Sequence, residues 1–411
     1  TDEDIARFTG SIEASLINSL QSVSAQVSQL AQFETFTGNP NYIGKQLDRY
    51  TSVTKADVQR VYEKYFKGKP AIILSVATKA EPTNIVAAEN YTIDKEGYKA
   101  PDYGYAGLKY QKATDKFDRS KMPGPGANPE VKVPPFWREK LPSGIEAIGA
   151  ESRELPIVAL TFSMPGGQIM QADDVSKAGL ARMFGQMMNE DTQDRTAEEF
   201  QTALQMLGSS VYVGSGFDDI NVSVQSLKKN LDKTLALVEE RLFRPKFTSA
   251  AFERIKKQTL EGFKLRKSQP SAVASEVFDK INYGEGNLLG ISSVGTEESV
   301  RNLTLKDVEE FYANALTRRG SRLAVVGDIS KDEVIEKMKF LSRLPEREVK
   351  SPQLAAAPKV DKTRIYLVDV PKAAQTEFRV GYVTDLKYDA TGEYYRAGLA
   401  NFALGGMFSS R

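Results

Sequence analysis

Hydrophobic and polar positions alternate in clear segments along this chain, and those segments set the first expectations. Residues 3–36 are helix-compatible with few breakers, and Asn39-Pro40-Asn41 interrupts them. A second helix is expected from Thr54, where a Thr suited to an N-cap is followed three residues on by Asp57. After Val61, Tyr62 and Tyr65 comes Ala71-Ile72-Ile73-Leu74-Ser75-Val76, an apolar run that reads as a buried strand. The same cassette returns as Thr304-Leu305-Lys306-Asp307-Val308, Phe311-Tyr312 and Arg322-Leu323-Ala324-Val325-Val326-Gly327. The pairs Thr54/Thr304, Asp57/Asp307, Val58/Val308 and Tyr62/Tyr312 keep one offset, as a duplicated module would. Two capped helices before strands can also match by chance.

Between the copies, residues 96–135 lose their periodicity, and the Pro/Gly-rich stretch from Lys121 to Pro135 reads as an extended linker. Trp137 is expected to anchor the end of that linker on a core. Leu141-Pro142-Ser143-Gly144-Ile145 reads as a turn between strands, and Leu155 to Met164 as a further strand. A helix from about Lys177 to Asn189 follows, then one opened by the capping box of Thr196 and Glu199 and closed by Gly208. Residues 209–226 read as a hairpin around Gly214-Ser215-Gly216; Ile220, Val222 and Val224 alternate with polar residues, as in a half-buried antiparallel sheet. Helices are expected near 228–243, 248–267 and 271–282, and a strand from Ile365 to Val370 after a Pro/Ala-rich joint. Strands and helices arrive in clusters, so the expected class is α+β.

Composition narrows the chemistry. The 411 residues include no His and no Cys, which removes imidazole and thiolate metal ligands and every Ser-His or Cys-His nucleophile pair. Fifty-five basic residues against 54 acidic ones give no electrostatic case for nucleic acid or an anionic membrane. No apolar run approaches the ~18 residues of a membrane-spanning helix. The first residues, Thr1-Asp2-Glu3-Asp4-Ile5, read as the inside of a longer chain. Lack of cysteine is compatible with either redox compartment, and a periplasmic or other extracytoplasmic location is the working expectation.

On the Lys177–Asn189 segment, Leu180, Met183, Phe184, Met187 and Met188 form one apolar stripe. Arg182, Gly185 and Gln186 lie on the other face with the i, i+3, i+4 relation of an H-x-x-E-H element. Gly179-Leu180-Ala181-Arg182-Met183-Phe184-Gly185-Gln186-Met187, followed by Phe200 and Leu207-Gly208, resembles the G-x-A-H-x-x-E-H-M segment of the pitrilysin/insulinase-type zinc metallopeptidases, which include the mitochondrial processing peptidases. Arg182 and Gln186 stand where that family has its two histidines, and Gly185 where it has the glutamate base. The third ligand, a glutamate about 76 residues on, maps to Gly262, or to Glu261 if the register slips by one, in Thr259-Leu260-Glu261-Gly262. Gln375 to Gly381 resembles a family strand, and Gly405-Gly406-Met407-Phe408-Ser409-Ser410-Arg411 the family's G-G-x-S-S-R-L-F stretch.

The resemblance implies repeated metallopeptidase subdomains, each an antiparallel-rich sheet covered by helices. Residues 1–95 would be the C-terminal part of a preceding peptidase half and 96–135 a linker. Residues 136–345 would be the first subdomain of the second half, and 346–411 the start of its second subdomain. It also implies a non-catalytic half, with no catalytic or metal-binding residue of its own. Zinc would lie in a partner half, in cis or on a separate subunit, and the substrate would be an unfolded peptide held partly by strand addition. A non-enzymatic scaffold or peptide-binding protein of the same fold is the alternative. Arg182 and Gln186 are either a solvated helix face or part of a peptide-chamber wall. Asp218-Asp219 reads as a solvated hairpin turn, lacking the further spaced ligands of a divalent-cation loop.

Overall fold

The computed structural model describes residues 1–76, 101–110, scattered linker positions between 118 and 130, 132–389 and 392–407. It divides into two compact units: Thr1–Thr54 with Pro134–Arg411, and Lys55–Val133.

The first unit opens with α1 (Asp2–Ser19), α2 (Val23–Thr37) and α3 (Ile43–Thr51). The helix-compatible stretch 3–36 forms two helices, divided at Leu20–Ser22, where Ser22 turns extended and caps α2. In the second unit, α4 (Lys55–Tyr65) starts directly after Thr54.

From Trp137 the first unit continues with β1 (Trp137–Lys140), β2 (Glu146–Glu151) and β3 (Ile157–Pro165). Next come α5 (Leu180–Met187), α6 (Ala197–Met206), β4 (Ser210–Ser215) and β5 (Asp219–Leu227). Four helices follow: α7 (Leu231–Phe243), α8 (Ser249–Arg266), α9 (Pro270–Tyr283) and α10 (Glu297–Asn302). The described elements end with α11 (Leu305–Ala315), β6 (Arg322–Gly327), α12 (Lys331–Lys337) and α13 (Glu393–Leu404).

The strands form one six-stranded sheet in the order β1-β2-β6-β3-β5-β4. Only β2 and β6 run parallel; every other neighbouring pair is antiparallel. Alternate residues reach a core centred on Phe162, Phe184 and Phe200, all fully buried. The opposite face leaves Ile148, Val326 and Tyr212 exposed. The α+β, antiparallel-rich architecture with helices against the sheet thus matches the sequence pattern. Trp137 lies against Gly149 of the neighbouring strand and borders the core, as its position beside the linker suggested.

At the N-terminal end, α1 packs on α6 and on the ends of β3 and β5 through Ala14, Ile17, Ile157 and Leu227. Gly208 closes α6 with φ +56°, and a Cβ there would lie 2.6 Å from Ala14 Cβ. Glycine therefore permits both the turn and the approach of α1.

The strands expected outside this sheet do not form. Ala71–Val76 lies outside any strand, and Ile72 and Leu74 are exposed. Ile365–Val370 and Gln375–Gly381 are likewise outside any strand and carry exposed Ile365, Leu367, Phe378 and Val380. Apolar, β-branched sequence supplies propensity, but a strand exists only where a neighbour completes its ladder. Gly405, Gly406 and Met407 follow the end of α13; Phe408–Arg411 and about half of the expected linker 96–135 lie outside the described residues.

Candidate functional site: the α5 helix and the edge strand β4

Helix α5 is entered through Gly179 at φ +94°, where a Cβ would sit 2.5 Å from the Val294 carbonyl oxygen. Only glycine fits that approach, which accounts for the first position of the G-x-A motif. The apolar stripe Leu180, Met183, Phe184, Met187 and Met188 is buried as its spacing predicts. Phe184 meets Phe311 of α11 with ring centroids 4.8 Å apart.

The opposite face carries the three positions singled out by sequence. Arg182 is exposed, Gln186 is half-buried and Gly185 is buried. A Cβ on Gly185 would lie 3.2 Å from the Ser215 amide nitrogen and 3.6 Å from the Gly214 carbonyl carbon. The absence of a side chain at 185 is thus what lets the end of β4 run tightly over α5.

One turn on, Asn189 bridges the helix and the strand. Its Nδ2 donates to Gly185 O and to Val213 O, each at 2.7 Å, and its Oδ1 accepts the Val213 N–H at 3.1 Å.

Behind the helix C-terminus lies a second polar group that periodicity did not reveal. Arg241 is almost fully buried on α7, and its guanidinium lies 3.7 Å from the centroid of the Phe200 ring. Its Nη1 donates to Met188 O at 2.7 Å and to Glu190 O at 3.4 Å, neutralising the carbonyl end of α5. Burial lowers its pKa to about 10, with Glu240 and Glu190 opposing that fall. The group therefore stays charged at neutral pH. Glu240 in turn accepts from Thr192 Oγ1 at 2.5 Å and pairs with Arg195. A lone Arg between Val238 and Leu242 on an otherwise apolar helix stripe was the available signal.

The other predicted positions lie on α8, which packs against α5 and α10. Glu261 is exposed and approaches Lys257 at 4.0 Å. It borders a shallow cleft of about 290 Å³ that also receives Lys264 and Arg301, and none of Arg182, Gly185 and Gln186 lines that cleft. Gly262 is half-buried with nothing within 4 Å of where its Cβ would be. The fold thus gathers three of the five positions on one turn of α5 and leaves Glu261 and Gly262 on a different helix.

A guanidinium, a bare backbone position and a carboxamide do not fit Zn²⁺, which takes thiolate, imidazole or carboxylate. Among the described residues no three His, Cys, Asp or Glu side chains cluster in a metal-binding group. At the hairpin, the Asp219 carboxylate accepts from Ser163 Oγ at 3.2 Å and Asn221 Nδ2 at 2.7 Å, so it is engaged in the turn.

This architecture, a helix-covered antiparallel-rich sheet with α5 set against its edge strand, is that of a metallopeptidase-type domain. Residues 157–290 match the family described as insulinase (peptidase family M16), and residues 302–411 match the peptidase M16 inactive domain. Over these two successive stretches the chain is similar to the M16 peptidase family.

Among curated relatives, the non-peptidase homologue YmxG of Helicobacter pylori is 25% identical over 269 residues, covering 65% of this chain and 60% of that protein. An uncharacterised zinc protease of Mycobacterium leprae is 21% identical over 277 residues, 67% of this chain and 61% of its own. A crystal structure of a peptidase M16 inactive domain from Pseudomonas fluorescens is 26% identical, with a TM-score of 0.50 over 54% of each chain. The chain thus spans about 60% of the length of these curated relatives. Among the described residues no helix is long and apolar enough to cross a membrane.

Proposed function

We propose that this chain is the non-catalytic half of a zinc-dependent metalloendopeptidase that encloses and cleaves peptides, with zinc in a partner half in cis or on a separate subunit. The observation that carries this reading is α5, a helix with a buried apolar stripe at the positions of the resembled H-x-x-E-H segment, where Arg182, Gly185 and Gln186 stand in place of its donors. On this reading residues 1–95 close one half and 96–135 link. Residues 136–345 form a first subdomain, and 346–411 open a second. The exposed Ile72, Ile73, Leu74 and Val76, and likewise Ile365 and Leu367, support it, because both stretches are strand-like in sequence. An extracytoplasmic compartment belongs to the same reading, and fractionation of the tagged protein checks it.

The similarity to a protein named as a non-peptidase homologue favours one second reading, a scaffold or peptide-binding protein of this fold. Two measurements test the pair. Elemental analysis after zinc equilibration and dialysis is expected to find far less than one zinc per chain; one tightly held zinc overturns both readings of α5. Peptidase activity of a zinc-bearing half is then measured with and without this chain. Dependence on the chain supports the first reading, and full activity without it favours the scaffold.

A further inference from the structure

Strand β4 is one of the two outer strands of the sheet, and among the described residues only one of its two edges is paired with another strand. The Gly216 amide donates to Asp219 O across the hairpin, so by antiparallel alternation Gly214 and Tyr212 turn their backbone groups toward β5. Val211, Val213 and Ser215 turn theirs outward, the register an added strand would read. At Val213 both outward groups are already taken: Asn189 Oδ1 accepts its N–H at 3.1 Å, and Asn189 Nδ2 donates to its C=O at 2.7 Å. That reciprocal pair is the one a peptide group of an incoming strand would make. The carboxamide is held in place by its second bond, to Gly185 O at 2.7 Å. At the neighbouring outward position, Gly185 brings α5 close to the Ser215 amide.

We propose that Asn189 closes the free edge of β4 to strand addition, its side-chain amide standing in for one peptide group of an absent strand. This inference deepens the peptide-binding side of the proposed function: it removes β4 from the surfaces on which this chain takes up an extended peptide. A polypeptide could pair there only after Asn189 gives up its three hydrogen bonds to Val213 and Gly185. The same closure guards this edge of the sheet against pairing with a second copy.

The test compares the full chain with Asn189→Ala, and with Asn189→Ala combined with Val213→Pro, which removes the freed donor at a position tolerant of proline on an outer edge. Residue-resolved hydrogen exchange reads the closure directly. The Val213 amide is expected to be protected in the parent and released in Asn189→Ala, with Tyr212 and Gly214 protected in both. Fluorescein-labelled, reduced and carboxymethylated α-lactalbumin serves as the extended-chain probe. Asn189→Ala is expected to bind it, or to self-associate, at least about tenfold more tightly than the parent, equivalent to about 1.4 kcal/mol. The double variant loses that gain. An unprotected Val213 amide in the parent, or released exchange in Asn189→Ala without any gain in pairing, overturns the proposal. A parent that fails to bind the probe, with the exchange pattern as expected, counts against the peptide-binding reading and leaves the closure standing.

Discussion

Two stretches of this chain share a pattern and differ in fate. In the copy from Thr304, the Thr304 hydroxyl caps α11, Val308 and Phe311 enter the core, and β6 is the third strand of the sheet. In the copy from Thr54, α4 forms at the matching place, but Val58 is 51% exposed where Val308 is 0%. Ile73 is 65% exposed where Leu323 is 0%, and Ala71–Val76 makes no strand. Helices satisfy their own backbone, so α4 needs no neighbour; a strand must be completed by another strand. The comparison teaches that helix patterning is a local property, whereas strand patterning is a statement about a partner.

Substitutions at paired positions can sharpen or break this contrast, read by denaturant unfolding through the single tryptophan, Trp137, in the first unit. The largest effect is expected at Phe311, which is buried against Phe184: Phe311→Ala should destabilise by about 3–5 kcal/mol. Its counterpart Val61→Ala should stay within about 0.5 kcal/mol. Equal losses at the two sites would show that the second copy is covered after all.

Arg241→Met should follow, at about 3 kcal/mol, because the Met188 carbonyl loses its charged donor and Phe200 its cationic partner. No charged residue is expected to rival it on α4.

A smaller, pH-dependent effect is expected at Asp307. Burial raises its pKa, but hydrogen bonds from Lys177 and Thr304 outweigh that and hold the carboxyl below the usual range. A depressed folded-state pKa adds stability that is present above the unfolded value and lost as pH falls through the folded one. Asp307→Asn should therefore cost about 1–2 kcal/mol at pH 7 and progressively less as pH falls below about 4. A cost independent of pH would assign the loss to packing. Thr304→Ala, removing only the cap, should cost about 1 kcal/mol.

Restoring the resembled motif is a further test of the site. The triple change Arg182→His, Gly185→Glu and Gln186→His is expected to lower stability and confer no tight zinc. The new Cβ at 185 would meet the Ser215 amide at 3.2 Å, and Glu261 lies beside Lys257 in a cleft that none of the three positions lines. Calorimetric titration with zinc checks it.

Much of the fold was legible because its signals are local. Thr196 and Glu199 form the expected capping box, and the alternation of Ile220, Val222 and Val224 marks β5. The i, i+3, i+4 relation placed Arg182, Gly185 and Gln186 together on α5. The strand order could not be read, since nothing local says that β6 enters between β2 and β3. The roles of Asn189 and Arg241 were hidden for the same reason: their partners Val213 and Met188 lie 24 and 53 residues away.

The position of β6 also bears on the order in which this molecule can take shape as it is made. β2 and β3 leave the ribosome early, yet the strand that joins them begins about 160 residues after β3 ends. At translation rates of roughly 5–20 residues per second, the two must wait on the order of 8–30 seconds with facing edges unmatched. During that interval β3, β5 and β4 can pair in that order, but the sheet has no middle. A nascent chain of this design is most exposed to wrong pairing just before Arg322 emerges, which makes its last central strand a timing element as well as a structural one.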